Sequence, residues 1–87
     1  MARLLVIEDD PEIGANVCDF LRGRGHDPDW APDGYVGLAL AASHAPELVV
    51  LDLNLPRMDG LAWCRRYRQE LQGHAPVIML TARDALD

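Results

Sequence analysis

The chain has 87 residues, 14 acidic and 8 basic, with a formal net charge of -6 and a hydrophobic fraction of 49%. That length makes one domain at most, and the composition is that of an ordinary globular protein. Every basic residue is an arginine, and only Arg65, Arg66 and Arg68 are clustered, so direct nucleic-acid binding by this segment is not expected. The start, Met1-Ala2-Arg3, runs straight into a short strand-like segment, too short for a signal sequence or a membrane span. Cys18 and Cys64 lie far apart, with no metal-binding spacing, and read as small buried hydrophobes of a reducing compartment. A cytoplasmic location follows as the expectation, with no membrane partner.

In chain order, Leu4 to Ile7 is an all-apolar run that ends in Glu8-Asp9-Asp10. Such a run predicts a strand buried on both faces of a parallel sheet. Asp10-Pro11 is a helix start, and Ile13, Val17, Phe20 and Leu21 predict the buried stripe of the helix that follows. His26 to Ala31 is a short strand that Pro28 confines to a sheet edge. Asp33 caps a second helix over Tyr35 to Ser43. Leu48 to Leu53 is a second doubly buried strand, interrupted by one acid, Asp52. An unpaired carboxylate is costly to bury, which puts Asp52 where the strand leaves the core. Pro56 ends that strand, and Asp59-Gly60 opens a third helix with Leu61, Cys64, Tyr67, Arg68 and Leu71 on one face and Trp63 on another. Val77 to Leu80 is the last strand, finishing in Thr81-Ala82, and Arg83 to Asp87 reads as the beginning of a helix. The order βαβαβαβ predicts an α/β fold with a parallel sheet.

Parallel neighbours would bring Glu8, Asp9, Asp10, Asp52 and Thr81 to one edge of that sheet. Carboxylates so close repel one another and must take up protons or a cation. An all-oxygen donor set suits Mg²⁺, and a carboxylate beside such an ion can attack a phosphoryl group and become an acyl phosphate. A hydroxyl such as that of Thr81 can donate to a phosphoryl oxygen.

Glu8-Asp9-Asp10 after LLVI, Asp52 within VVLDLNLPRMDG and Thr81-Ala82 after VIML resemble the receiver domain of two-component response regulators, in particular those followed by a winged-helix DNA-binding domain. The resemblance implies a flavodoxin-like, three-layer α/β/α fold with strand order 2-1-3-4. It implies Asp52 as phosphoacceptor and Mg²⁺ as cofactor, held by Asp9, Asp52, the backbone carbonyl of Asn54 and, through water, Glu8, with Asp10 as a further candidate acid. Thr81, with Ala82 beside it, would be the switch residue contacting the phosphoryl group. Pro56, Met58 and Arg83 would border the site, and Asn54 and Arg83 would tune hydrolysis of the acyl phosphate. The implied partner is a sensor histidine kinase. The implied role is that of an acceptor that dephosphorylates itself, not of an enzyme turning over a separate substrate.

Members of this family continue into a fourth helix, a fifth strand and a fifth helix, and the fifth strand carries a lysine. This chain ends at Asp87 and has no lysine, so it reads as the N-terminal part, residues 1–87, of a receiver that regulates a DNA-binding output. An apolar fourth-strand edge and an uncovered sheet face predict self-association into a homodimer or larger oligomer. The alternative function is an assembly module without phosphotransfer. A phosphohydrolase using an aspartyl phosphate fits less well, because it usually has a second acid two residues after the nucleophile, where this chain has Asn54.

Blander readings accompany each residue. The acids after Ile7 could serve only the helix dipole, and Asp52 could be a structural cap. His26, His44 and His74 are expected in solvent, Trp30, Trp63, Tyr35 and Tyr67 as packing groups, and the Arg65/Arg66/Arg68 run as a solvated helix face.

Overall fold

The computed structural model describes residues 2–53 and 55–80. Strands β1 (Arg3–Ile7), β2 (Asp27–Ala31), β3 (Leu48–Asp52) and β4 (Val77–Leu80) alternate with helices α1 (Pro11–Gly23), α2 (Gly34–His44) and α3 (Gly60–Gln69). The strands form one parallel sheet in the order β2-β1-β3-β4, the flavodoxin-like arrangement expected. Proline 28 indeed sits in an edge strand, where a missing N–H costs no ladder bond on the solvent side.

Side-chain alternation divides the sheet into two faces. Leu5, Ile7, Val49 and Leu51 pack with Ala41 of α2, Trp63 and Tyr67 of α3, and Leu55 and Met58 from the loop after β3. Leu4 and Val6 are buried outside that cluster, on the face that α1 covers with Gly14 and Cys18. Each fully buried Leu or Ile contributes about 1.5–3 kcal/mol, and the central strands β1 and β3 supply Leu5, Ile7 and Leu51 of this kind.

Two helices present a different face from the expected one. In α1, Gly14 and Cys18 are buried while Ile13 and Phe20 stand in solvent at 45% and 60% exposure. In α3, Trp63 is completely buried and stacks on Tyr67 with centroids 5.0 Å apart, while Leu61 is exposed. For α3 the cause lies in α2: a Cβ at Gly37 would meet Ile7 Cδ1 at 2.6 Å and Trp63 Nε1 at 3.1 Å. The glycine leaves a slot that the largest side chain fills, and the indole N–H donates to Gly34 O at 3.0 Å.

The surface residues are also more engaged than expected. Arg68 donates to the carbonyls of Gly73 and Ala75 at 3.1 and 2.8 Å, tying down the connection from α3 to β4. His44 Nδ1 lies 2.8 Å from Asp29 Oδ2, and His26 Nδ1 accepts from the Ala2 N–H at 3.3 Å. Cys18 is buried and Cys64 half-buried, both as free thiols, and burial raises the pKa of each.

Candidate functional site

Register alone brings the acids together. Ile7 of β1 is aligned with Leu51 of β3, and Leu51 with Met79 of β4. One residue further on, β1 yields Glu8 and β3 ends at Asp52, which is level with Leu80. The parallel strands finish at one edge, so their terminal carboxylates share it, as the rule for open α/β sheets requires. One carboxylate oxygen from each of Glu8, Asp9 and Asp52 lies within 4.8 Å of the others. Glu8 and Asp52 are half-buried and Asp9 is exposed.

Electrostatics at this cluster are unbalanced. The Glu8 carboxyl is pushed up to about 7 from 4.5. Burial is the largest cause, and the hydrogen bond and charge of Asp52 add to it, with a smaller contribution from Asp9. The Asp10 N–H, donating to Glu8 Oε2 at 3.2 Å, works in the opposite direction. A carboxyl that must hold a proton near neutrality marks a place where positive charge is lacking. Three hard oxygen donors at this spacing fit a divalent cation such as Mg²⁺.

Asp10 has a separate task. Its Oδ1 accepts from the N–H groups of Glu12 and Ile13 at 2.9 and 3.3 Å, capping α1 ahead of Pro11. The structure therefore groups Glu8, Asp9 and Asp52 and leaves Asp10 to the helix.

The chain beyond β3 is held by its own backbone bonds. Leu53 N–H donates to Leu80 O at 2.9 Å and carries the β3–β4 alignment one residue beyond Asp52. Pro56 is exposed, and the Met58 N–H donates back to Pro56 O at 2.7 Å around Arg57, whose φ is +72°. A two-residue return around a positive-φ, non-glycine centre is a tight γ-turn of the strained kind. Met58 faces inward, 6% exposed, within the α2/α3 core and not toward the acids. Asp59 Oδ1 then caps α3 by accepting from Ala62 N–H at 2.8 Å. Asn54, Thr81, Ala82 and Arg83 lie outside the described residues.

One contributor escapes any reading of the sequence by periodicity. The Trp30 indole N–H donates to the backbone carbonyl of Glu8 at 2.8 Å, and Glu8 N–H donates to Ala31 O at 3.0 Å. The end of the edge strand thus grips the first acid by its backbone from both sides. An aromatic residue 22 positions away, aimed at a main-chain oxygen, leaves no local pattern to find.

A parallel α/β sheet with three carboxylates gathered at the carboxyl ends of its central strands defines a flavodoxin-like domain with an acidic, cation-suited edge. The chain belongs to the response regulator receiver domain family, which it matches over residues 4–87. It is 46% identical over 83 residues to the DNA-binding dual master transcriptional regulator RpaA of a Synechocystis species, covering 94% of this chain and 34% of that protein. The BeF3-activated N-terminal receiver domain of Klebsiella pneumoniae RstA superposes with a TM-score of 0.84 at 34% identity, covering 92% of this chain and 67% of that one. An N-terminal receiver domain from Methanoculleus marisnigri gives a TM-score of 0.90 at 31% identity, covering 95% and 68%. The chain spans about a third of the length of the curated relatives it matches. No helix among the described residues is long and apolar enough to cross a membrane.

Proposed function

We propose that this chain is a phosphoacceptor module that takes a phosphoryl group on Asp52 from a phosphohistidine of a sensor kinase. The convergence of Glu8, Asp9 and Asp52 within 4.8 Å carries this reading. Asp9 and Asp52 would hold Mg²⁺ directly, Glu8 through water, with the backbone carbonyl of Asn54 as a further ligand. The bound ion would offset the charge of the acids and of the transferring phosphoryl oxygens. A carboxylate oxygen of Asp52 attacks phosphorus, the P–N bond breaks, and the electron pair returns to the imidazole nitrogen, which takes a proton. The product is an acyl phosphate that the domain hydrolyses slowly. From the family resemblance, Thr81 would donate to a phosphoryl oxygen, with Ala82 beside it, and Pro56, Asn54 and Arg83 would border the mouth.

The output is transcriptional control by a DNA-binding partner domain in the cytoplasm. Support comes from RpaA and QseB, both named as transcriptional regulators, of which this chain matches about a third. Incubation with phosphoramidate and Mg²⁺, followed by intact-mass spectrometry, tests the chemistry. The expected result is one added phosphoryl group that alkali removes and that Asp52→Asn and chelator both prevent. Equal labelling of Asp52→Asn would refute it.

A second reading applies to the 87-residue chain by itself. Ile78 and Leu80 are 48% and 46% exposed, and β4 is the last strand of the sheet among the described residues. This favours self-association through the β4 edge or that sheet face. Sedimentation at micromolar concentration should show a dimer or larger species, and a clean monomer would retire the idea.

A further inference from the structure

Resting on the phosphoacceptor reading, the geometry points to Trp30 as a positioning residue: its indole N–H anchors the peptide that joins Glu8 to Asp9. A peptide unit is a rigid plane that fixes the two Cα atoms it connects. The carbonyl end of this plane accepts from Trp30 Nε1 at 2.8 Å. The residue before the plane is held as well, because Glu8 N–H donates to Ala31 O at 3.0 Å. Both acids of the first strand end therefore take their direction from β2, an edge strand that contributes no acid to the cluster.

The sequence makes two locally unfavourable choices that serve this one contact. Trp30 is a large aromatic left 38% exposed on an edge strand. Gly14 stands inside α1, where glycine costs about 1 kcal/mol relative to alanine. A Cβ at Gly14 would fall against Trp30 Nε1 and lie 2.8 Å from Cδ1. The helix thus gives up a side chain at the place where the indole must lie to reach the Glu8 carbonyl. Trp30 links α1, β2 and the acid-bearing loop, and it does so through the atom that phenylalanine lacks.

Ligand-orienting groups outside a metal's own donor set are worth about 10–100-fold in affinity, and Trp30 acts one step further back, through the backbone. Calorimetric Mg²⁺ titration of the chain, with Tm read on the same samples, is the test. Trp30→Phe, which keeps a ring and removes the N–H, should weaken Mg²⁺ roughly tenfold at temperatures where it is folded. Gly14→Ala keeps the indole but displaces it and carries the same expectation, which covers a failure of Trp30→Phe to fold. Trp63→Phe is the control, because it loses an indole bond to a carbonyl on the other face of the sheet. It should lower Tm and leave Mg²⁺ affinity unchanged. Affinity of Trp30→Phe within about twofold of the original chain, or an equal loss in Trp63→Phe, overturns the assignment. If the original chain binds Mg²⁺ no better than Asp9→Ala, the metal reading itself has failed, and the positioning role falls with it.

Discussion

Replacing Glu8 by glutamine removes the carboxyl whose protonation the fold itself promotes, and the consequence can be worked out in sign and size. In the folded chain this group keeps its proton up to about 7, against 4.5 for an ordinary glutamate. Between those values the folded state binds more protons than the unfolded one, so stability falls as pH rises through the window. At about 1.4 kcal/mol for each unit of pKa, the whole interval is worth up to about 3 kcal/mol. Glu8 is half-buried, and solvent screening brings that to about 1–2 kcal/mol. Urea unfolding in chelator from about pH 5 to about pH 8 reads the effect. The native chain should lose stability toward the alkaline end, and the difference between its profile and that of Glu8→Gln isolates this one carboxyl. Saturating Mg²⁺ should shrink the slope, because a metal ion takes the place of the proton. Parallel profiles for the two chains in chelator would refute the reasoning.

Mg²⁺ binding near neutral pH should release about half a proton, read as a dependence of the calorimetric heat on buffer ionisation enthalpy; Glu8→Gln should abolish the release. Asp10→Ala should cost about 1 kcal/mol in chemical denaturation through its lost N-cap and leave Mg²⁺ affinity nearly intact, whereas Asp9→Ala should do the reverse. Asp59→Ala should likewise cost about 1 kcal/mol, since its side chain caps α3 at Ala62. Gly37→Ala should destabilise by about 1–3 kcal/mol, because the added methyl meets Ile7 and Trp63 in a filled core.

Uninterrupted apolar runs make the parallel sheet legible, because strands covered on both faces are apolar at nearly every position. In β4, however, expected to be buried like the others, Ile78 and Leu80 are exposed. LLVI, LVVL and VIML each match a strand to within a residue, and the acids that end the first two runs mark the edge where the site lies. Helix phase is another matter. In α1 the stripe Ile13, Val17, Phe20, Leu21 is as periodic as the true face of Gly14, Val17, Cys18 and Leu21, but glycine does not register as apolar although it packs closely. In α3 the stripe Leu61, Cys64, Tyr67, Arg68, Leu71 shares Tyr67 with the true face of Gly60, Trp63 and Tyr67, and it misses Trp63. The choice is made by the slot at Gly37, on a helix more than twenty residues earlier. Asp10 shows the same limit at the site. Pro11 already marks Asp10 as a helix cap, but three consecutive acids do not show whether the cap also joins the cluster, and that is decided by backbone direction after Ile7. Trp30 is invisible for a further reason, since its partner is a main-chain carbonyl that no side-chain pattern encodes.

The central claim is that three acids from two strand ends form one cation-dependent acceptor at Asp52. Fluorine NMR of the chain with beryllofluoride and Mg²⁺ addresses it most directly. A bound signal at one equivalent, absent with chelator and absent in Asp52→Asn, is the predicted result. A signal that survives either change, or no bound signal at saturating Mg²⁺, would contradict the account.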